Sequence, residues 1–205
     1  TTENILNSFS INDLWALLKS QSCFIYHGIA EAPGVGNPHV KNIPVEQRLL
    51  DAFYNRHNWA VCCSTITVGD SELKLDYWGF FGLIVKPTNP DSIILAHHQD
   101  AGSIPDPKDP RKRIVSGCFT PDISILELES TIKNRNGANE WGVSGFEVAA
   151  IYIEYPVSVS ALQWVRTNFS DILILTQYQG SFVSIDESSG AIKYGSVVTP
   201  ADIYK

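Results

Sequence analysis

The sequence predicts an α+β fold built on a mainly antiparallel β-sheet. Two observations carry this. Apolar residues recur at helical spacing near the N-terminus and in one later segment, 122–134. From residue 59 onward the rest is short runs rich in β-branched and aromatic residues, closed by Gly, Pro, Asn and Asp. Helices early, strands late and one helix inserted is the order of an α+β chain, not of alternating βα units.

Residues 8–20 read as the first helix, with Ser10 or Asn12 as its cap and Leu14, Trp15, Leu17 and Leu18 as its apolar face. Cys23-Phe24-Ile25-Tyr26 is a short strand that ends at His27-Gly28. The Gly/Pro-rich stretch 32–38 has no periodicity and reads as irregular loop. Pro44 opens a second helix, 44–55, with Val45, Leu49, Leu50 and Phe53 on one side. The strands expected next are 59–68, 78–86, 92–96, 146–154, 172–178, 182–185 and 191–194. Turn residues separate them at 68–70, 87–91, 179–180 and 186–190. The runs 78–86 and 92–96 read as the central hairpin of the sheet. Thr120-Pro121-Asp122 offers a cap for the inserted helix, whose face is Ile125, Leu126, Leu128 and Ile132. Residues 156–166 form either a short helix or a bent connection. No repeat, linker or low-complexity stretch divides the chain, so residues 1–205 are expected to form a single compact domain.

Composition narrows the function. With 44% hydrophobic and 18% charged residues the chain can bury a sizeable core and is not of the disordered class. A formal net charge of −7 argues against nucleic acid held by bulk electrostatics. Lys108, Arg111, Lys112 and Arg113 form a local basic group, either a solvated loop or a contact for phosphate or an acidic partner. The four cysteines, Cys23, Cys62, Cys63 and Cys118, are too few for a disulfide scaffold and are expected to be reduced, buried thiols. Cys62 and Cys63, adjacent on an extended segment, point to opposite faces. The short C-x2–4-C spacing of a metal site is absent, so no metal is expected. No apolar run is long enough to cross a membrane, and the N-terminal Thr-Thr-Glu-Asn, acidic and polar, leads to the expectation of no signal peptide. The expectation is a soluble chain with no membrane partner, cytoplasmic or delivered into a target cell. The aromatic residues Trp59, Tyr77, Trp78, Phe80 and Phe81 are expected in the core.

Five short constellations hold chemistry. Tyr26-His27-Gly28 ends a strand, where a turn at Gly presents an imidazole and open backbone N–H groups. Cys62-Cys63-Ser64-Thr65-Ile66-Thr67 alternates hydroxyls along a strand. Asn139-Glu140-Trp141 sets a carboxylate after an Asn/Gly-rich loop and before apolar residues. Ser116-Gly117-Cys118 offers a thiol after a turn, and His97-His98-Gln99-Asp100 ends an apolar run in ionisable groups. On a strand His98 and Asp100 share a side, so a carboxylate can orient an imidazole. Each also has a plain reading: a histidine at a turn, a strand of ordinary hydroxyl content, a surface acid, a structural cysteine, a polar strand end.

The first three, in this order, resemble ADP-ribosyltransferases. That family has a split, mainly antiparallel sheet with helices near its N-terminus. Its diphtheria-toxin-like branch carries Tyr-His-Gly on the first strand, as Tyr26-His27-Gly28 does here. Another branch carries Ser-Thr-Ser on a middle strand, matched in part by Ser64-Thr65-Ile66, and all branches with full activity place a Glu at the start of a late strand, the place of Glu140. The resemblance implies an enzyme that uses NAD, a toxin or effector transferring to a protein acceptor or small molecule. His27, Ser64 and Glu140 would be its catalytic residues. Tyr26, Gly28 and Thr65, the rings of Tyr54 or Tyr77, and Arg111 or Arg113 at the pyrophosphate would hold NAD. The Gln-x-Glu or Glu-x-Glu of the family is missing, because Ala138 stands two residues before Glu140.

Ser116-Gly117-Cys118 is similar to the Ser-Gly-Cys of toxin glutamine deamidases, which implies a Cys118 nucleophile with His97 or His98 and Asp100. In that class the His follows the Cys, whereas all five histidines here precede Cys118. A third class is a binding or immunity domain without catalysis, to which the acidic charge and aromatic content also fit.

Overall fold

In a computed structural model of the chain the described residues are 8–29, 43–54, 60–69, 81–99, 123–135, 137–188 and 190–205. Among them stand five helices and nine strands. α1 (Ile11–Ser20) begins where Ser10 and Asp13 cap each other: the Ser10 hydroxyl accepts from the Asp13 N–H, and the Asp13 carboxylate accepts from the Ser10 N–H. The acid three residues on selects Ser10 over Asn12. Leu14, Leu17 and Leu18 form its buried face, as expected. α2 (Val45–Tyr54) buries Val45, Leu49 and Ala52.

The strands are β1 (Cys23–Ile29), β2 (Val61–Thr67), β3 (Phe81–Pro87), β4 (Ile93–His97), β5 (Glu140–Val143), β6 (Phe146–Ile153), β7 (Leu173–Tyr178), β8 (Ser181–Ser188) and β9 (Ala191–Val197). They join in the order β4-β5-β2-β1-β3-β6-β7-β8-β9. Every ladder is antiparallel except β6–β7. A parallel pair needs a crossover, and α4 (Val159–Asn168) supplies it. The fold is therefore α+β on a mostly antiparallel sheet, as the sequence predicts.

Two expectations are corrected, one alternative is decided and one helix is new. β3 and β4 do not form the hairpin expected of the runs 78–86 and 92–96: among the described residues β3 pairs with β1 and β6, and β4 ends the strand order beside β5. Of the two readings of residues 156–166 the short helix holds, beginning at Val159, so α4 adds a second inserted helix. A short α5 (Pro200–Ile203) closes the chain. The inserted helix α3 (Ile125–Lys133) starts later than Thr120-Pro121-Asp122 suggests, because Ser124 and Glu127 form its capping box.

The sheet curls. Phe24 on β1 and Phe182 on β8 are separated by three strands, a span of about 19 Å in a flat sheet at ~4.8 Å per step. Their ring centroids are 5.1 Å apart. Tyr26, Tyr152 and Phe182 continue the cluster, with centroid separations of 5.5 and 6.1 Å. The space this needs is cut into β3: a Cβ at Gly82 would overlap the Tyr26 ring. On the other flank the Tyr204 hydroxyl enters the β1–β3 ladder, accepting from the Ile25 N–H at 2.8 Å and donating to the Val85 carbonyl at 3.2 Å.

Cys23 and Cys63 are buried free thiols and Cys62 is exposed. Strand alternation explains the split between neighbours, and the expectation of burial fails for Cys62 alone of these three. Burial pushes the Cys23 thiol up to about 12 and raises Cys63 as well.

Candidate functional site

β2 changes partner along its length. Its C-terminal half pairs with β1, from Cys23–Thr67 to Tyr26–Ser64. Its N-terminal half pairs with β5, from Val61–Val143 to Cys63–Trp141. The ladder to β1 stops one step before the ladder to β5 begins. Past Tyr26, β1 continues to Ile29 on β3 alone among the described residues. Among the described residues no ladder joins His27–Ile29 to the start of β2, which leaves this part of the strand pair open.

His27 lies at that opening, half-buried. Its Nδ1 is 2.7 Å from the Cys62 carbonyl oxygen. In a regular ladder side chains stand off the sheet and do not reach a neighbouring strand's carbonyl. The ring therefore occupies the gap between the strands. A carbonyl only accepts, so Nδ1 carries the proton and Nε2 is left as an acceptor. Burial holds the imidazole below 6.5, the ordinary histidine value, against the smaller upward pull of the Cys62 bond.

Gly28 presents backbone to the same opening. Successive residues of an antiparallel strand direct their N–H and C=O to alternate sides. The Ile25 N–H and Val85 C=O are aimed at each other through the Tyr204 hydroxyl, so odd residues of β1 face β3. Gly28, an even residue, directs its N–H and C=O towards β2, beyond the end of that ladder.

Glu140 is the first residue of β5. Trp141 shares a face with its partner Cys63, so Glu140 projects to the other face, that of Ser64 and Cys62. Its cross-strand partner is His97 at the end of β4. Asn139 fixes where Glu140 begins. Its Oδ1 accepts from the Thr65 N–H (2.8 Å), and its Nδ2 donates to Thr65 Oγ1 (2.7 Å) and the Thr131 carbonyl (3.0 Å). Its own carbonyl accepts from Ser64 Oγ at 2.5 Å. Thr131 Oγ1 takes the Trp141 indole N–H at 2.8 Å, and Arg135 donates to the Thr65 carbonyl at 3.0 Å. Every polar atom of this buried Asn side chain has a partner, so the cluster is a rigid joint between β2, α3 and β5.

The expected site residues divide accordingly. His27, the Gly28 backbone and Glu140 stand at or beside the partner exchange of β2. Ser64 and Thr65 stand there too, but are 2% and 0% exposed and spend their hydroxyls on Asn139. The Tyr26 ring is core, fully buried against Tyr152, and offers no binding surface. Tyr54 is exposed on α2 and contacts Phe53 and Phe169. His97 and His98 diverge, the first towards Glu140 and the second to an exposed position with its Nε2 3.0 Å from Ser130 Oγ. Tyr77, Asp100, Arg111, Arg113 and Cys118 lie outside the described residues.

Sequence reasoning named Asn139 only as the neighbour of Glu140 and His97 only as a partner for Cys118, and it missed Thr131. Asn139 directly precedes an extended Glu, which is a faint local signal; its bonds to Thr65 reach across 74 positions and leave no trace in spacing.

No protein-family model and no curated protein matches the chain.

Proposed function

We propose that the chain is an ADP-ribosyltransferase-like enzyme that uses NAD as substrate. One observation supports this reading: His27, the backbone of Gly28 and Glu140 lie on neighbouring strands at the level where β2 ends its ladder with β1 and begins its ladder with β5. The chemistry fits the groups. A backbone N–H and C=O directed out of Gly28 match the donor and acceptor of a carboxamide. Nε2 of His27, fixed as an acceptor, suits a ribose hydroxyl. The Glu140 carboxylate binds the ribose 2′-hydroxyl and offsets the positive charge that builds at C1′. The C1′–N bond breaks, nicotinamide leaves with the electron pair, and an acceptor oxygen or nitrogen takes its place.

A second reading is a binding domain without catalysis. Its support is that Ser64 and Thr65 are consumed in the buried joint with Asn139. Calorimetric titration with NAD separates the two. The enzyme reading predicts binding by the wild type, weakened about tenfold by His27→Ala through loss of one ligand hydrogen bond. A folded wild type with no NAD binding discards it.

A further inference from the structure

His97 faces Glu140 directly across the β4–β5 ladder. Cross-strand partners lie on one face with their side chains adjacent. The ring's Nε2 is buried and has no hydrogen-bond partner. A buried ring nitrogen left without a bond is an uncompensated cost that folded chains rarely retain, and one that persists calls for a catalytic role, an ordered water or an ion. The cost is recovered when a bound hydroxyl, amine or water is presented to that atom. The position also matters. Ala138, two residues before Glu140, brings no polar group. The imidazole supplied by β4 is the ionisable side chain placed beside Glu140 by the register of its other neighbour.

We propose that His97 is a catalytic residue of the acceptor side: its Nε2 takes the proton of the attacking nucleophile. This rests on the NAD reading above. The nucleophile's oxygen or nitrogen bonds to C1′ of the nicotinamide ribose as the C1′–N bond breaks. Nicotinamide departs neutral with the bonding electron pair, and the nucleophile's proton passes to His97. The resulting imidazolium stands beside the Glu140 carboxylate until it returns the proton to water.

The test uses the full chain, with water as acceptor, and follows nicotinamide release and NAD binding in the wild type, His97→Ala and His97→Gln. Both variants are expected to bind NAD within about threefold of the wild type and to release nicotinamide at least about tenfold more slowly. Added imidazole is expected to restore several-fold of the rate to His97→Ala, which a purely structural loss would not allow. His97→Gln keeps the side-chain bulk should His97→Ala fold poorly. Variants that turn over NAD at the wild-type rate overturn the role of His97 alone, as does slow turnover in both that imidazole leaves unchanged. A folded wild type that neither binds nor cleaves NAD overturns the enzyme reading and this inference with it.

Discussion

His27 and Cys62 are joined by a 2.7 Å bond between an imidazole nitrogen and a backbone carbonyl, across the opening where β1 and β2 cease to pair. The bond fixes the ring's tautomer and holds the strands at that separation. Around it lie the Gly28 backbone and, through β2, the start of β5 with Glu140.

The joint predicts a pH dependence. His27 has its folded-state value lowered by burial. The folded chain thus favours the neutral ring and binds fewer protons than the unfolded one. Its contribution to stability is present above 6.5 and is lost as pH falls through the lower folded value. Chemical denaturation of the wild type and His27→Gln between about pH 7.5 and 5 is expected to show their stability difference shrinking as acid is added. A difference that grows on acidification would contradict the burial of a neutral ring.

Asn139→Ala removes three side-chain hydrogen bonds and strands the Thr65 N–H and the Thr131 carbonyl in the interior. The expected loss is about 3 kcal/mol, from ~1–3 kcal/mol for each buried group left unpaired. Urea unfolding measures it. A loss below about 0.5 kcal/mol would mean that the joint relaxes to water.

Gly82→Ala drives a methyl into the Tyr26 ring. Overpacking of this kind costs about 1–3 kcal/mol. Tyr26→Ala alone opens a cavity at a cost of about 3–5 kcal/mol, and the double variant is expected to lose less than the sum because the added methyl enters the vacated space. Additive losses would place the strain at Gly82 elsewhere.

What was legible in the sequence, and what was not, follows the range of the forces involved. α1 and α2 were readable because helical spacing and caps are local: Ser10 needs only Asp13. β1, β2 and β3 were readable from their β-branched and aromatic content. β5 was not among the expected strands, because Glu-Trp-Gly-Val has neither alternation nor a β-branched run; pairing with β2 on one side and β4 on the other makes it a strand. The false hairpin has the same origin. The turn after β3 says that the chain reverses, not which strand receives it, and β3 finds its partners at Tyr26–Ile84 and Leu83–Ile151. In the candidate site, His27 and Glu140 were singled out by residue type and order. The use of Ser64 and Thr65 as internal ligands of Asn139, and the placing of His97 opposite Glu140, depend on contacts 74 and 43 positions apart that no local pattern encodes.

The central claim is that Glu140 acts on NAD bound over His27 and Gly28. Nicotinamide release by the wild type and Glu140→Gln, measured beside NAD binding by calorimetry, tests it most directly. The account predicts turnover by the wild type, and a Glu140→Gln variant that binds NAD within about threefold and releases nicotinamide about a hundredfold more slowly, the scale of losing one charge-stabilising group. Equal rates in the two proteins, or a folded wild type that leaves NAD unbound and uncleaved, would contradict it.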